Sequence, residues 1–267
     1  MSLVRRLVGV PGQAYDVNLA LILCAPRTGS TLLTRILDSH SRIASPFEIG
    51  LPAIFRGDKK EEKAKAKERE ICGYYGLGPL KSRVAPDYFL HGVLSGEGKE
   101  LLVLKDPRYA LFVDRVFAMF GDIPVIVLTR DIRACSMSVM FGGAYESGMK
   151  TWHAFNQGIE SEIHRYSRVM HLKYEDLTND PEGKTAVVTD FLGFDYEAGM
   201  TEYWNHSHTD DKLRLWNGGA PKESKLQKML DKQEISPDHQ SFPDDVEAVY
   251  RAHPEFVEMN QRLGYKS

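Results

Sequence analysis

The stretch that most restricts the fold of this chain runs from Val17 to Leu37. Val-Asn-Leu-Ala-Leu-Ile-Leu-Cys-Ala is a short, continuous apolar run closed by Pro26, and it suits a strand covered on both faces. After the polar Pro-Arg-Thr-Gly-Ser-Thr, apolar residues return at Leu32, Leu33, Ile36 and Leu37, the spacing of one helical face, until Asp38, Ser39 and His40 break it. The order is strand, tight polar loop, helix. The same grammar recurs. Glu100 to Leu104 leads through Lys-Asp-Pro-Arg into a helix from Tyr109 to Phe120, and Pro124 to Leu128 leads through Thr-Arg-Asp into a helix from Ala134 to Phe141. Val169 to Lys173 is a further strand, ahead of a helix from Pro181 to Leu192. Strands alternating with helices require right-handed crossovers, so we predict an α/β fold with a central, mostly parallel sheet flanked by helices. Ligands of such sheets bind beyond the carboxyl ends of the strands, where all three polar loops sit.

At 267 residues the chain is long enough to bury a core for such a sheet, and residues 1–267 read as a single domain. Two regions leave the repeating pattern. Residues 56–95 are an insertion: Asp58 to Glu70 is charge-dense, with Glu61 four residues before Lys65, which supports an exposed helix. Together with Tyr74, Tyr75 and Leu77 it also suits a substrate flap over the site. Residues 196–267 turn polar and irregular, with Gly218, Gly219 and Pro221 in a loop and short helical segments near 223–231, 244–251 and 254–263.

Lys plus Arg number 34 against 37 Asp plus Glu, so no broad positive field exists to capture a nucleic acid, and any anion site is local. Cys24, Cys72 and Cys135 are an odd number without a C-x-x-C pair, which argues against a disulfide framework and a structural zinc. No apolar run reaches the roughly 18 residues of a membrane helix. Met1 to Val10 lacks the apolar length and cleavage site of a leader, so the expected location is the cytoplasm.

The loop Ala25-Pro26-Arg27-Thr28-Gly29-Ser30-Thr31 joins a buried strand to a helix, so consecutive backbone N–H groups and a positive helix end point at one spot. That is a cradle for a phosphate-like anion. Gly29 permits close backbone approach, Ser30 and Thr31 add hydroxyl donors, and Arg27 supplies fixed charge on a planar fork of donors. The pattern G-x-x-x-x-G-K-[ST] is absent, with no Lys before Ser30, which disfavours an ordinary ATP or GTP site. Taken alone, the loop equally suits a capped helix with an exposed arginine. A second loop adds to it. Arg130 ends an apolar strand, and Asp131 is placed to cap the next helix. A helix repeats every ~3.6 residues, so Ser138 returns to the face of Asp131, and Arg130 and Ser138 can grip one anion together. The alternative gives Arg130 a carboxylate partner and turns Ser138 to water.

These residues resemble a family. Pro-Arg-Thr-Gly-Ser-Thr-Leu-Leu after the first strand, and Leu-Thr-Arg-Asp with Ser138 eight residues beyond Arg130, are similar to the two nucleotide-binding motifs of sulfotransferases that use 3′-phosphoadenylyl sulfate (PAPS). Val-Leu-Lys-Asp-Pro-Arg at 103–108 and Leu-Lys-Tyr-Glu-Asp-Leu at 172–177, then Asp190-Phe-Leu-Gly193, stand in the family's order, so the resemblance runs from about Leu19 to Gly193. The motif style looks like that of tyrosylprotein sulfotransferases and of polyketide-synthase sulfotransferase domains. The resemblance implies a P-loop NTPase-like sulfotransferase fold. It implies that Arg27, Thr28, Gly29, Ser30 and Thr31 hold the 5′-phosphosulfate and that Arg130 and Ser138 hold the 3′-phosphate. Tyr174 would approach the nucleotide, and Arg214, with Lys212 and Trp216, would clamp its adenine and 3′-phosphate.

The chemistry so implied is in-line transfer of a sulfuryl group to a hydroxyl acceptor, with release of adenosine 3′,5′-bisphosphate (PAP). A sulfuryl group carries less charge than a phosphoryl group, so Arg27 and Lys105 suffice to balance the departing oxygens and no metal is expected. Glu48, in Ser-Pro-Phe-Glu-Ile-Gly-Leu-Pro, is the implied general base, its carboxyl raised by Phe47, Ile49 and Leu51. Their bland readings are an exposed loop carboxylate for Glu48 and a structural pair with Asp106 or Asp114 for Lys105. The acceptor stays open among small molecules, carbohydrates, lipids, carrier-bound acyl chains and peptide tyrosines. Two other classes compete: a P-loop kinase-like phosphotransferase that needs ATP and magnesium, and a non-catalytic nucleotide-binding protein. His206-x-His208 invites a metal reading, although Asp210 and Asp211 beside it suit a solvated loop.

Overall fold

Side chains of a strand point alternately to its two faces, and here both faces are buried. In the computed structural model, which describes residues 17–46, 48, 70–77, 86–209, 233–237 and 241–266, strand β1 spans Leu19–Cys24 and is buried throughout. Leu19, Leu21 and Leu23 enter one apolar cluster; Ala20, Ile22 and Cys24 enter another on the opposite face. A continuous apolar run is the sequence signature of such a strand. With β2 (Ile43–Ala44), β3 (Leu101–Lys105), β4 (Val125–Thr129) and β5 (Val169–Lys173) it forms a sheet of order β2-β3-β1-β4-β5. Every pair is parallel, with Ile22 opposite Lys105 on one side and Ile126 on the other.

Helix α1 (Ser30–Asp38) lays Leu33, Ile36 and Leu37 on the Ile22 face. The opposite face is covered by α2 (Pro86–Glu97), α3 (Val113–Phe120) and the far end of α5 (Tyr145–Glu162), through Phe89, Val93, Val116, Phe120 and Ile159. Between α3 and α5 lies the short α4 (Ile132–Ser136). After β5 come α6 (Tyr174–Asn179) and α7 (Pro181–Leu192), whose Val188 and Leu192 return to the α1 face. The final pair, α8 (Asp244–Arg251) and α9 (Pro254–Arg262), joins α4 and α5 in a third cluster. Ala25, Ile132, Cys135, Trp152, Tyr250, Phe256 and Met259 pack there, beyond the carboxyl ends of β1 and β4. The chain leaves β1 toward β2 and leaves β4 toward β5, so the connections diverge between β1 and β4. A crevice opens at such a divergence.

β5, α7 and α8 have the bounds the sequence predicts. Two predicted helices are corrected. The one from Tyr109 begins earlier, as a 3-10 turn over Pro107–Leu111 opened by the Asp106 carboxylate, which accepts from the Arg108 amide. Non-helical backbone at Phe112, φ −145° and ψ 36°, then separates it from α3. The helix expected over 134–141 begins at Ile132, because Asp131 caps it by accepting from the Arg133 amide, and it stops at Ser136. A 3-10 turn follows over Val139–Phe141, and Gly142 and Gly143, at φ 58° and 87°, redirect the chain into α5. In the insertion, Ile71 and Cys72 are buried in the core, and Tyr75 and Leu77 pack against it. The charged stretch 58–69 and the segment 223–231 lie outside the described residues.

Candidate functional site

The turn after β1 is tight because two of its residues adopt left-handed backbone, Arg27 at φ 72° and Gly29 at φ 85°. That conformation is natural for glycine and strained for arginine. Gly29 meets a second demand: a Cβ there would lie 2.0 Å from Cδ2 of Tyr174. Thr28 is fully buried and donates its hydroxyl to the Ala25 carbonyl at 2.9 Å, so its side chain locks the turn from within. The Gly29 carbonyl accepts from Leu32 at 2.9 Å and starts α1. The first amides of a helix have no acceptor inside it, so those of the 29–31 turn present donors to an anion at its mouth.

The turn after β4 meets this cradle. Arg27 Nε donates to Ser138 Oγ at 2.7 Å. Arg130 Nη1 donates to the Arg27 carbonyl at 3.4 Å, and its guanidinium lies over the Tyr174 ring, 4.4 Å from the centroid. Arg27, Arg130, Ser138 and Tyr174 are thus gathered at one place. Ser138 arrives there differently: it lies past the end of α4, in a turn whose amide donates to the Cys135 carbonyl at 3.2 Å. Burial pulls the Arg27 guanidinium below its ordinary range, and the neighbouring Arg130 pulls the same way. Two crowded cations favour an anion between them.

Lys105 ends β3, next to β1, and its side chain is 1% exposed. Its Nζ lies 3.2 Å from Oε1 of Glu48, so the two expected reaction groups form one ion pair. Asp106, a predicted competitor, takes the Arg108 guanidinium instead. Burial raises the Cys24 thiol, and the nearby Lys105 ammonium acts in the opposite sense. The backbone leading to Glu48 is tied down by Asp38 at the end of α1, whose Oδ1 accepts from the Ser45 amide at 2.9 Å. Phe47, Ile49, Gly50 and Leu51 lie outside the described residues, as do Lys212, Arg214 and Trp216. His208 is a core residue: one ring nitrogen meets Asp38 Oδ2 at 2.7 Å and the other the Tyr203 carbonyl at 2.9 Å. Among the described residues no group of three or more His, Cys, Asp or Glu could hold a metal ion.

Trp152, Glu175 and Asn260 also reach the second turn, through its backbone at 130–132. Glu175 sits inside a motif visible in the sequence. Trp152 and Asn260 carry no local signal, because their contacts exist only once α5 and α9 have docked.

Residues 20–198 match the model of the sulfotransferase family. The chain belongs to that family. The matched stretch includes both turns, Glu48, Lys105 and Tyr174, and ends before α8 and α9. Among curated proteins, the nodulation protein NoeE of Sinorhizobium fredii is 30% identical to this sulfotransferase over 129 residues, which is 45% of this chain and 30% of NoeE. The chain thus matches less than a third of that relative's length. Among solved structures, the sulfotransferase domain of the Synechococcus PCC 7002 olefin synthase superposes with a TM-score of 0.64 at 21% identity, over 96% of this chain and 98% of that one. The sulfotransferase domain from the curacin biosynthetic pathway gives 0.61 at 21% identity, over 95% and 99%. The α/β sheet flanked by helices is the architecture of these neighbours.

Proposed function

We propose that this sulfotransferase transfers the sulfuryl group of PAPS to a hydroxyl acceptor, with Glu48 as general base. The observation that carries this reading is the meeting of the two turns: Arg27 bonds Ser138 at 2.7 Å, and Arg130 reaches the Arg27 backbone. A donor with phosphate-like groups at both ends of an adenosine suits a site with a helix N-terminus at one end and an arginine with a serine hydroxyl at the other. In this reading the Arg27–Thr31 turn holds the 5′-phosphosulfate, with Thr28 and Gly29 contributing backbone. Arg130 and Ser138 hold the 3′-phosphate, and the Tyr174 ring gives the nucleotide an aromatic edge.

The reacting oxygen comes from the acceptor. As it attacks sulfur, its proton passes to Glu48, the S–O bond to the 5′-phosphate breaks, and PAP departs with the electron pair. Arg27 and Lys105 balance the charge that builds on the departing oxygens, and positioning plus electrostatics carry most of the rate. The Glu48–Lys105 pair at 3.2 Å supports this division of roles by holding the two groups side by side.

Thermal unfolding tests the donor directly. At a concentration 100 times Kd, a ligand bound only by the native state adds about 2.7 kcal/mol. PAP is expected to raise Tm by several degrees without a divalent cation, and ATP with magnesium to do so far less. The reverse order would identify a kinase-like phosphotransferase. Strong binding of PAP with no turnover across small-molecule, carbohydrate, lipid, carrier-bound and tyrosyl hydroxyls would identify a binding protein.

A further inference from the structure

The backbone around Arg130 is held from four directions. Its carbonyl accepts from Trp152 Nε1 at 2.9 Å. The Asp131 amide donates to Glu175 Oε1 at 3.0 Å, the Ile132 amide to Asn260 Oδ1 at 3.2 Å, and the Arg133 amide to Asp131 Oδ1 at 2.8 Å. The clamps come from α5, α6 and α9, and the one from α9 is Asn260, which is 0% exposed.

Asn260 spends both halves of its amide there. Its oxygen takes the Ile132 N–H, while its nitrogen donates to Asp131 Oδ2 at 3.4 Å and to the Tyr250 hydroxyl at 3.3 Å. A side chain in this position must present an acceptor to a backbone amide and a donor to a carboxylate within a fully buried site. Asparagine does so. Leucine would strand both partners, and aspartate would set a second carboxylate against Asp131. A buried polar group left without its partner is destabilising, and the backbone moves to recover part of the loss. The backbone that would move is the one from which the Arg130 side chain leaves toward Tyr174 and Arg27.

Among the described residues no hydrogen bond joins the first turn to α9. That turn is closed by its own Thr28-to-Ala25 bond and by the start of α1. We infer that Asn260 is a positioning residue for one end of the donor site: it acts through the Asp131–Ile132 backbone on Arg130, whereas the amides of the 29–31 turn are held by Thr28 and α1 without it. The C-terminal helix, outside the stretch matched to the family, thereby helps select ligands that carry a 3′-phosphate. This inference rests on the proposed assignment of Arg130 and Ser138 to that phosphate.

The test is a pair of calorimetric titrations of the full chain, with PAP and with adenosine 5′-monophosphate, well below the Tm of each variant. The wild-type protein should prefer PAP. Asn260→Ala should lose PAP affinity by roughly 10-fold or more, the cost of one buried hydrogen-bonding group. Its affinity for the monophosphate should hold within about twofold, inside the free-energy change of a few tenths of a kcal/mol. Asn260→Asp, which preserves the side-chain volume and the bond to Ile132, should also lower the PAP-to-monophosphate ratio, and it decides the question if the alanine variant does not fold. A ratio unchanged in the variants, or an equal loss for both ligands, makes Asn260 a purely structural residue and overturns the inference alone. A wild-type protein that binds both ligands equally overturns the donor assignment and this inference with it.

Discussion

Glu48 and Lys105 show how much one ion pair can settle. Lys105 ends a strand whose other residues are all apolar, so its nearly buried ammonium needs a carboxylate, and Glu48 supplies it. Removing the charge of Glu48 tests the base role without changing its shape. Glu48→Gln is expected to lower kcat by roughly 100-fold or more, the usual worth of a general base, while the Kd for PAP stays unchanged. A variant with normal turnover would return Glu48 to the status of a loop carboxylate. The two turns were legible as places because a short polar run of Arg, Thr, Gly and Ser, or of Thr, Arg and Asp, stands out between an apolar strand and a helical pattern. The contact of Gly29 with the Tyr174 ring was not, since it joins residues from different motifs. The special backbone at Arg27, φ 72°, left no trace either, because arginine is an ordinary residue in the sequence and an unusual one only in that conformation.

At the scale of elements, the strands were readable because a parallel strand covered on both faces favours apolar side chains: β1 lies inside the run from Val17 to Ala25 and β4 is placed within one residue, while the outer strand β5 keeps its predicted bounds although His171 is exposed. Helix ends were less readable. Asp131 was recognised as a cap, yet the helix it opens stops at Ser136, since the stop depends on the turn that sends the chain into α5. The end of α1 carries a device of another kind. Asp38 is buried, which pushes its carboxyl up. The hydrogen bond from His208, the Lys99 ammonium and the Ser45 amide outweigh burial, so it lies below the usual carboxylate range. A group depressed in the folded state adds stability above its unfolded pKa, near 3.9 for aspartate, and loses it as pH falls toward the folded value. Urea unfolding from pH 6 down to pH 3 should therefore show wild-type stability falling below about pH 4. Asp38→Asn should be less stable than wild type at pH 6 and fall less steeply on acidification. An identical slope in both proteins would show that Asp38 does not carry this dependence.

On the scale of the whole molecule, the sheet brings together turns a hundred residues apart because the connections diverge between β1 and β4, and both turns hang over that divergence. Alternating strands and helices made legible that the polar loops share the carboxyl edge of a mostly parallel sheet, but not the order of its strands. What stayed hidden was the closure of α8 and α9 beneath the second turn. The Ile132–Asn260 and Asp131–Asn260 bonds span 128 and 129 residues, and no periodicity or motif links such positions. The same holds for the bond from the Arg133 guanidinium to Glu247 at 2.8 Å. The central claim is that one adenosine donor bridges the two turns, and a crystal structure of the protein with PAP tests it most directly. The account predicts the 5′-phosphate against the amides of residues 29–31 and the 3′-phosphate within hydrogen-bonding distance of Arg130 and Ser138. Density that places both phosphates on one turn, or the nucleotide in another crevice, would contradict it.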